Sequence, residues 1–293
     1  MLKRLIDKDE VTVVVHSGTF HGDDVACVAL LKCVHKTVNI VRKFKVDDPL
    51  EEEADYVLDI GKVDSVTEDK VCLDHHQGKE EIPGTEIYHC AFSKLVAHMV
   101  DHKNSHRLFN KYLLDELVLP IAAQDNGQDY SKFGLVPSPL TFVSSLKLNW
   151  EEDQNVLGYS RFNVAVDMAK TVIVTILENI DAKVKAYKLI KDAIDKGEDS
   201  VVVFDRYLPW LETVVEHNNG EPKVKLVVYP NNRNGISIQV VPKKIGSFDS
   251  WLKIPEDVMK FEGCTGSAHG AFAFFDSIEH AEKAAKEIAA TAQ

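Results

Sequence analysis

Paired cysteines are missing from this chain. Its 293 residues include five cysteines, Cys27, Cys33, Cys72, Cys90 and Cys264, at no CxxC spacing, which excludes a disulfide scaffold and a thiolate zinc ribbon. A run of the roughly 18 apolar residues that a membrane helix needs is also missing. The opening "MLKRLIDKDE" lacks the apolar stretch of a secretory leader, so a cytoplasmic protein without membrane contact is expected. Positive charge is scarce. Lys and Arg number 34 against 46 Asp and Glu, a formal net charge of -12, which removes the electrostatic footprint of a duplex-DNA binder. A nucleic-acid substrate has to be held locally, through a metal or a small basic pocket.

What is present is an ordinary globular composition, 45% hydrophobic and 27% charged. The first half alternates element types. "VTVVVH", "TVNIVRKF", "DYVLDIG" and "KVCLDHH" read as strands, and "DDVACVALLKCVH" as a helix between the first two, the signature of an α/β sheet. Segments 92–102 and 106–123 read as helices, the second closing in "AAQDNG". From Arg161 to about Lys196 neither Pro nor Gly interrupts a helical pattern, which predicts one long helix or a bent pair. "SVVVF", "VKLVVYP" and "GISIQVVP" then read as strands, followed by a Gly-rich piece "EGCTGSAHGAF" and a closing helix "SIEHAEKAAKEIAATA". The expected division is an α/β domain with its connector helix over 1–197 and a smaller α+β domain over 198–293.

The chemistry sits where the strands end. His16 closes the first strand, with His21 and Asp23 in the following turn; Asp59 closes "YVLD"; Asp74, His75, His76 and Gln77 follow "KVCL"; Asp125 closes a helix. Ligands of open α/β sheets sit outside the carboxyl ends of strands. Asp23 and Asp24 also open a helix, where the dipole favours acids, but that leaves the histidines unexplained. His16, His21, Asp23, Asp59, His75 and Asp125 offer imidazole and carboxylate without thiolate, a set that suits Mn²⁺ or a neighbouring divalent ion such as Mg²⁺ or Co²⁺. Six ligands are many for one catalytic ion. They point to two ions about 3.5 to 4 Å apart bridged by a carboxylate, the design of many phosphoesterases.

The motifs "HSGTFHGDD", "VLDIG", "LDHHQG", "QDNG", "QVVPKKIGSFDSWLKIPE" and "EGCTGSAHGAF" occur in order nearly end to end. They resemble the melanocyte-proliferating-gene exonuclease family of the DHH phosphoesterase superfamily. The resemblance implies a DHH-type, mostly parallel N-terminal domain, a dinuclear metal centre, and 3′ to 5′ exonuclease activity on single-stranded RNA or short oligonucleotides. It implies His16 and His21 on one ion, Asp23, His75 and Asp125 on the other, and Asp59 between them. His76 is then the general acid or charge stabiliser beside the scissile phosphate. Asp74 is expected to hold the His75 ring, as metal-bound histidines require, and Asp24 to hold the turn. Gln77, Asn126, Lys243, Lys244, Ser247 and His269 are the expected substrate contacts.

Trp251, where the family pattern has Arg, the shortened segment before the Gly-rich motif, and the displaced His269 are departures in the substrate domain. They leave pyrophosphate, short oligonucleotides or cyclic dinucleotides as the runner-up substrates, and a non-catalytic metal-binding relative as a third reading. "HMVDH", from His98 to His102, imitates a zinc-protease helix but places the shorter Asp where Glu is needed. The glycines of "EGCTGSAHGAF" either cradle a phosphate through backbone N–H groups or merely permit turns. Trp210, Tyr229, Phe248 and Trp251 are candidates for base stacking, although strand aromatics more often belong to the core.

Overall fold

A computed structural model describes residues 2–101 and 105–291. It divides into two compact units, Met1–Asp181 and Ala182–Gln293, with the division falling inside the longest helix.

The first unit is built on a five-stranded sheet. Strand β1 (Glu10–His16) feeds helix α1 (Gly22–Val34), which returns to β2 (Thr37–Lys43); then follow β3 (Tyr56–Leu58), β4 (Ser65–Val66) and β5 (Val71–Leu73). Strand order is β2-β1-β3-β5-β4, parallel throughout except for β4, which runs against β5. The chain steps to opposite sides of β1 for β2 and β3, and at such a reversal the strand ends open onto a crevice. Residues Asp23 to Leu31 of α1 are all buried. A helix apolar on nearly every side has to sit inside the molecule, and this one fixes the turn that precedes it.

Helix α2 (Ala91–Met99) comes next, and then a continuous helical stretch. Its parts are α3 (Arg107–Leu113), a π-turn at Leu114–Val118, and α4 (Leu119–Asp125). Helix α5 (Gln154–Lys196) is the uninterrupted helix that the sequence pattern allows. Of the zinc-protease look-alike, His98 lies exposed on α2 and His102 lies outside the described residues.

The second unit holds β6 (Val201–Val203), α6 (Leu211–Asn218), β7 (Leu226–Pro230), β8 (Ile236–Val240), β9 (Cys264–Ala268), β10 (Phe272–Phe275) and α7 (Ile278–Thr291). Their order is β6-β7-β8-β10-β9. Only β6 and β7 pair in parallel. The Gly-rich piece forms the hairpin of β9 and β10, and its turn residue His269 is exposed at φ 54°. Helix α7 packs its Ala281, Ala284, Ala285 and Ile288 against one face of the sheet, while α5 and α6 cover β7 on the other.

Candidate metal centre

Three neighbouring strands deliver the site. His16 is the last residue of β1, Asp59 follows β3, and Asp74 to His76 follow β5. Parallel pairing brings these ends side by side, and Asp125 reaches them from the end of α4.

Asp59 lies at the middle. Its two carboxylate oxygens face different partners: Oδ2 stands 3.4 Å from His16 Nε2, and Oδ1 stands 3.4 Å from His75 Nε2 and 3.6 Å from His76 Nδ1. His75 Nε2 is also 3.2 Å from Asp125 Oδ2. Asp23 joins this side, since ligand atoms of Asp23, His75 and Asp125 converge within 4.8 Å of one another. Both Asp23 oxygens meanwhile accept N–H bonds, from Ala91 at 3.0 Å and Phe92 at 2.7 Å, and so hold the start of α2. On the other side His16 Nε2 is 3.2 Å from Asp24 Oδ2, and the His21 ring lies 5.4 Å from that of His16.

Burial makes this arrangement costly. It pushes Asp24 up to about 7 and, together with the Asp59 charge, Asp125 up to about 6. Asp23 is raised by burial and by Asp125 and Asp59. Burial also works against the charged form of Asp59, but His16 and His75 outweigh it and hold that carboxyl below its ordinary range. For His16 burial is outweighed by Asp59 and Asp24, and its pKa rises to about 9. Asp125 stands at the C-terminal end of a helix, where the dipole disfavours an acid. Two buried oxygens, Asp24 Oδ2 and Asp59 Oδ1, have no hydrogen-bond partner. Orphaned carboxylate oxygens opposite imidazole nitrogens are donors waiting for a cation, so these residues fit divalent ions.

The Asp-His-His turn is locked from within. Asp74 Oδ1 accepts the backbone N–H of His75 at 2.7 Å and of His76 at 3.1 Å, while Oδ2 accepts the N–H of Lys62 at 2.6 Å. The ring that Asp74 holds is that of His76, through Nδ1 at 2.6 Å. This corrects the expectation for His75. The two adjacent rings lie 4.4 Å apart and both face Asp59, but His75 Nε2 reaches Asp125 whereas His76 Nδ1 turns to Asp74. The Asp74 hydrogen bond raises the His76 pKa. Gln77 donates to Asp64 at 2.8 Å and to the Asp74 carbonyl at 2.9 Å, bracing the same turn. Asn126 spends its amide on the carbonyls of Tyr88, His89 and Ala122. Asp24 caps its own helix, accepting the N–H of His21 at 2.8 Å.

Two site residues escape sequence reasoning. Arg42 on β2 donates to the carbonyls of His16 and Gly18 at 3.2 and 3.0 Å, and its guanidinium lies over Phe162 and Phe20 at 4.4 and 5.7 Å. It clamps the His16–Gly18 turn. Lys147 shares with His21, Gln124 and Asp125 a pocket of about 140 Å³. Burial, then the Lys147 charge, lowers the His21 pKa. Neither residue carries a local motif that could have flagged it.

Of the contacts expected in the second unit, Lys243 pairs with Asp249 at 3.1 Å and lies over Trp251 at 5.5 Å. Ser247 accepts the Asp249 N–H, and Lys244 is exposed. Trp210 and Tyr229 belong to the core, whereas Phe248 is fully exposed.

Residues 12–267 match the family model MYG1_exonuc, Uncharacterised protein family (UPF0160). The chain is 26% identical to MYG1 protein C694.04c of Schizosaccharomyces pombe over 84% of its own length and 83% of that protein. It is 25% identical to the MYG1 protein of Chlamydia muridarum, over 84% and 81%. Among solved structures it is similar to RecJ in complex with Mn²⁺ from Thermus thermophilus, at 10% identity and TM-score 0.33, over 96% of this chain and 52% of that one.

Proposed function

The chain belongs to the family MYG1_exonuc, and from that premise we propose that it is a metal-dependent phosphoesterase that removes nucleotides from the 3′ end of single-stranded RNA. Its ions are Mn²⁺ in this reading, and its setting is the cytoplasm, which suits five free cysteines. The observation that carries the reading is the divided carboxylate of Asp59, one oxygen toward His16 and the other toward His75. A carboxylate so placed bridges two ligand sets: His16, His21 and Asp59 on one side, and Asp23, Asp59, His75 and Asp125 on the other. Asp24 Oδ2 lies within reach of the first set.

Held by these residues, two divalent ions would supply a hydroxide at neutral pH and would neutralise the phosphate oxygens. The residues do the rest. His76 has Nδ1 fixed on Asp74, and its side chain is 52% exposed, so Nε2 is free to give a proton to the departing 3′ oxygen. The same Asp74 bond keeps His76 protonated to higher pH than an ordinary imidazole. Lys147, beside His21 and Asp125, offers an ammonium for a phosphate oxygen. Lys243, Lys244, Ser247 and His269 are retained as substrate contacts, and Gln77 and Asn126 as braces of the turns beside the phosphate.

The test uses 3′-labelled and 5′-labelled single-stranded RNA in Mn²⁺, beside a dinucleotide and pyrophosphate at equal phosphate concentration. Early release of the 3′ label as mononucleotide, lost in His76→Ala and Asp59→Ala, is the expected result. Intact RNA with hydrolysed dinucleotide or pyrophosphate would move the activity to small phosphates.

A further inference from the structure

The second sheet has one face only partly covered. On β10, Ala273 and Phe275 point into the core beneath α7, so alternation places Phe272 and Phe274 on the opposite face. The α5 and α6 layer on that face rests on Val227 and Tyr229 of β7, and the cluster includes no residue of β9 or β10. The outer half of this face is therefore an open floor. It forms a cavity of about 580 Å³ with walls from Tyr207, Tyr229 and Arg233.

Three properties of this floor point to one class of ligand. The Phe272 and Phe274 rings are parallel within 10° with centroids 6.5 Å apart, close to twice the ~3.4 Å rise between bases of a strand. Tyr207, 62% exposed, meets the edge of Tyr229 at 5.6 Å and extends the aromatic surface. The lining includes one Arg and no acid among the described residues, in a chain where acids outnumber bases by 46 to 34. Asn231 accepts the N–H groups of Arg233 and Gly235 and donates to Ser237, which fixes the turn that presents Arg233. Flat faces without negative charge, with a cation at the rim, suit unpaired bases and their phosphate. Sheet-based RNA readers stack bases on strand aromatics in the same way.

We propose that this face, centred on Phe272, Phe274 and Tyr207, is a binding platform for the unpaired bases of single-stranded RNA, with Arg233 on a backbone phosphate. It rests on the nuclease reading and adds a second hold on long substrates. A dinucleotide bound at the metal centre has no further bases to place there.

The test measures fluorescence anisotropy of a labelled single-stranded RNA 12-mer on the full chain with divalent ions chelated, which removes binding through the metal centre. Phe272→Leu/Phe274→Leu keeps apolar volume and removes the ring faces, and should weaken binding tenfold or more, as lost stacking on two rings implies. Tyr207→Ala and Arg233→Glu, at exposed positions, should each weaken it severalfold while melting temperature is unchanged. An abasic 12-mer should bind wild type no better than the double variant binds RNA. In Mn²⁺ the double variant should raise KM for the 12-mer and leave kcat/KM for the dinucleotide unchanged. Undetectable wild-type binding, equal binding by the leucine variant, or equal binding of the abasic strand would each overturn the platform. Binding as described without cleavage in Mn²⁺ would leave the platform standing and defeat the nuclease reading instead.

Discussion

Asp59 adopts φ 58°, in the left-handed region, one residue past a buried strand. Asp enters that region more readily than most residues, and holding it there still costs of order 1 kcal/mol or more. The result is that both oxygens face different imidazoles. Asp74 works on the other side, as the anchor of His76. Replacing it by Asn removes the negative charge that raises the His76 pKa, so the protonated acid is lost at lower pH. Asp74→Asn should cut activity by about 10–100-fold, as loss of a supporting carboxylate commonly does. The alkaline limb of its pH–rate profile should move toward lower pH. An alkaline limb that stays in place would remove His76 from the role of acid. The ligand types were legible in the sequence, because two histidines and several acids at strand ends have no packing reason to be there. Which ring Asp74 grips was not, because adjacent residues differ only in side-chain direction.

At the scale of elements, the strand-turn-helix that carries His16, His21 and Asp23 is held by a residue from the neighbouring strand. Arg42 has its planar group fixed by the carbonyls of His16 and Gly18 and lies over the rings of Phe162 and Phe20. Arg42→Ala should destabilise the chain by about 2 kcal/mol or more, read by chemical denaturation, since hydrogen bonds to charged groups are worth roughly 1.5–3 kcal/mol each. Arg42→Lys should not restore it, because an ammonium lacks the planar fork. Restoration by Lys would reduce the role of Arg42 to its charge. The buried runs around β1, β3 and β5 were readable, since their apolar residues cluster over strand length. Strand β9 was hidden, because "CTGSA" has neither β-branched density nor clean alternation, and only pairing with β10 makes it a strand. Helix α6 and the short β4 lacked a signal of useful length for the same reason.

For the whole molecule, the net charge of -12 sets how substrate has to be caught. Long-range attraction for a polyanion is weak, so the proposed reading requires affinity from short-range contacts at the metal centre and at the proposed aromatic face. The acids gathered at the centre repel one another in the metal-free chain. Burial first, with the Asp59 charge adding to it, makes Asp24 and Asp125 hold their protons up to about 7 and about 6. Divalent ions replace those protons, so binding near pH 6 should release them. The direct measurement is calorimetric titration of the chelator-treated chain with Mn²⁺ at pH 6 in two buffers of different protonation enthalpy, on wild type and Asp59→Asn. Two equivalents bound with proton release in wild type, falling to one or none in the variant, is the predicted result. One equivalent in wild type, or two in both proteins, would contradict a carboxylate bridge between two ions.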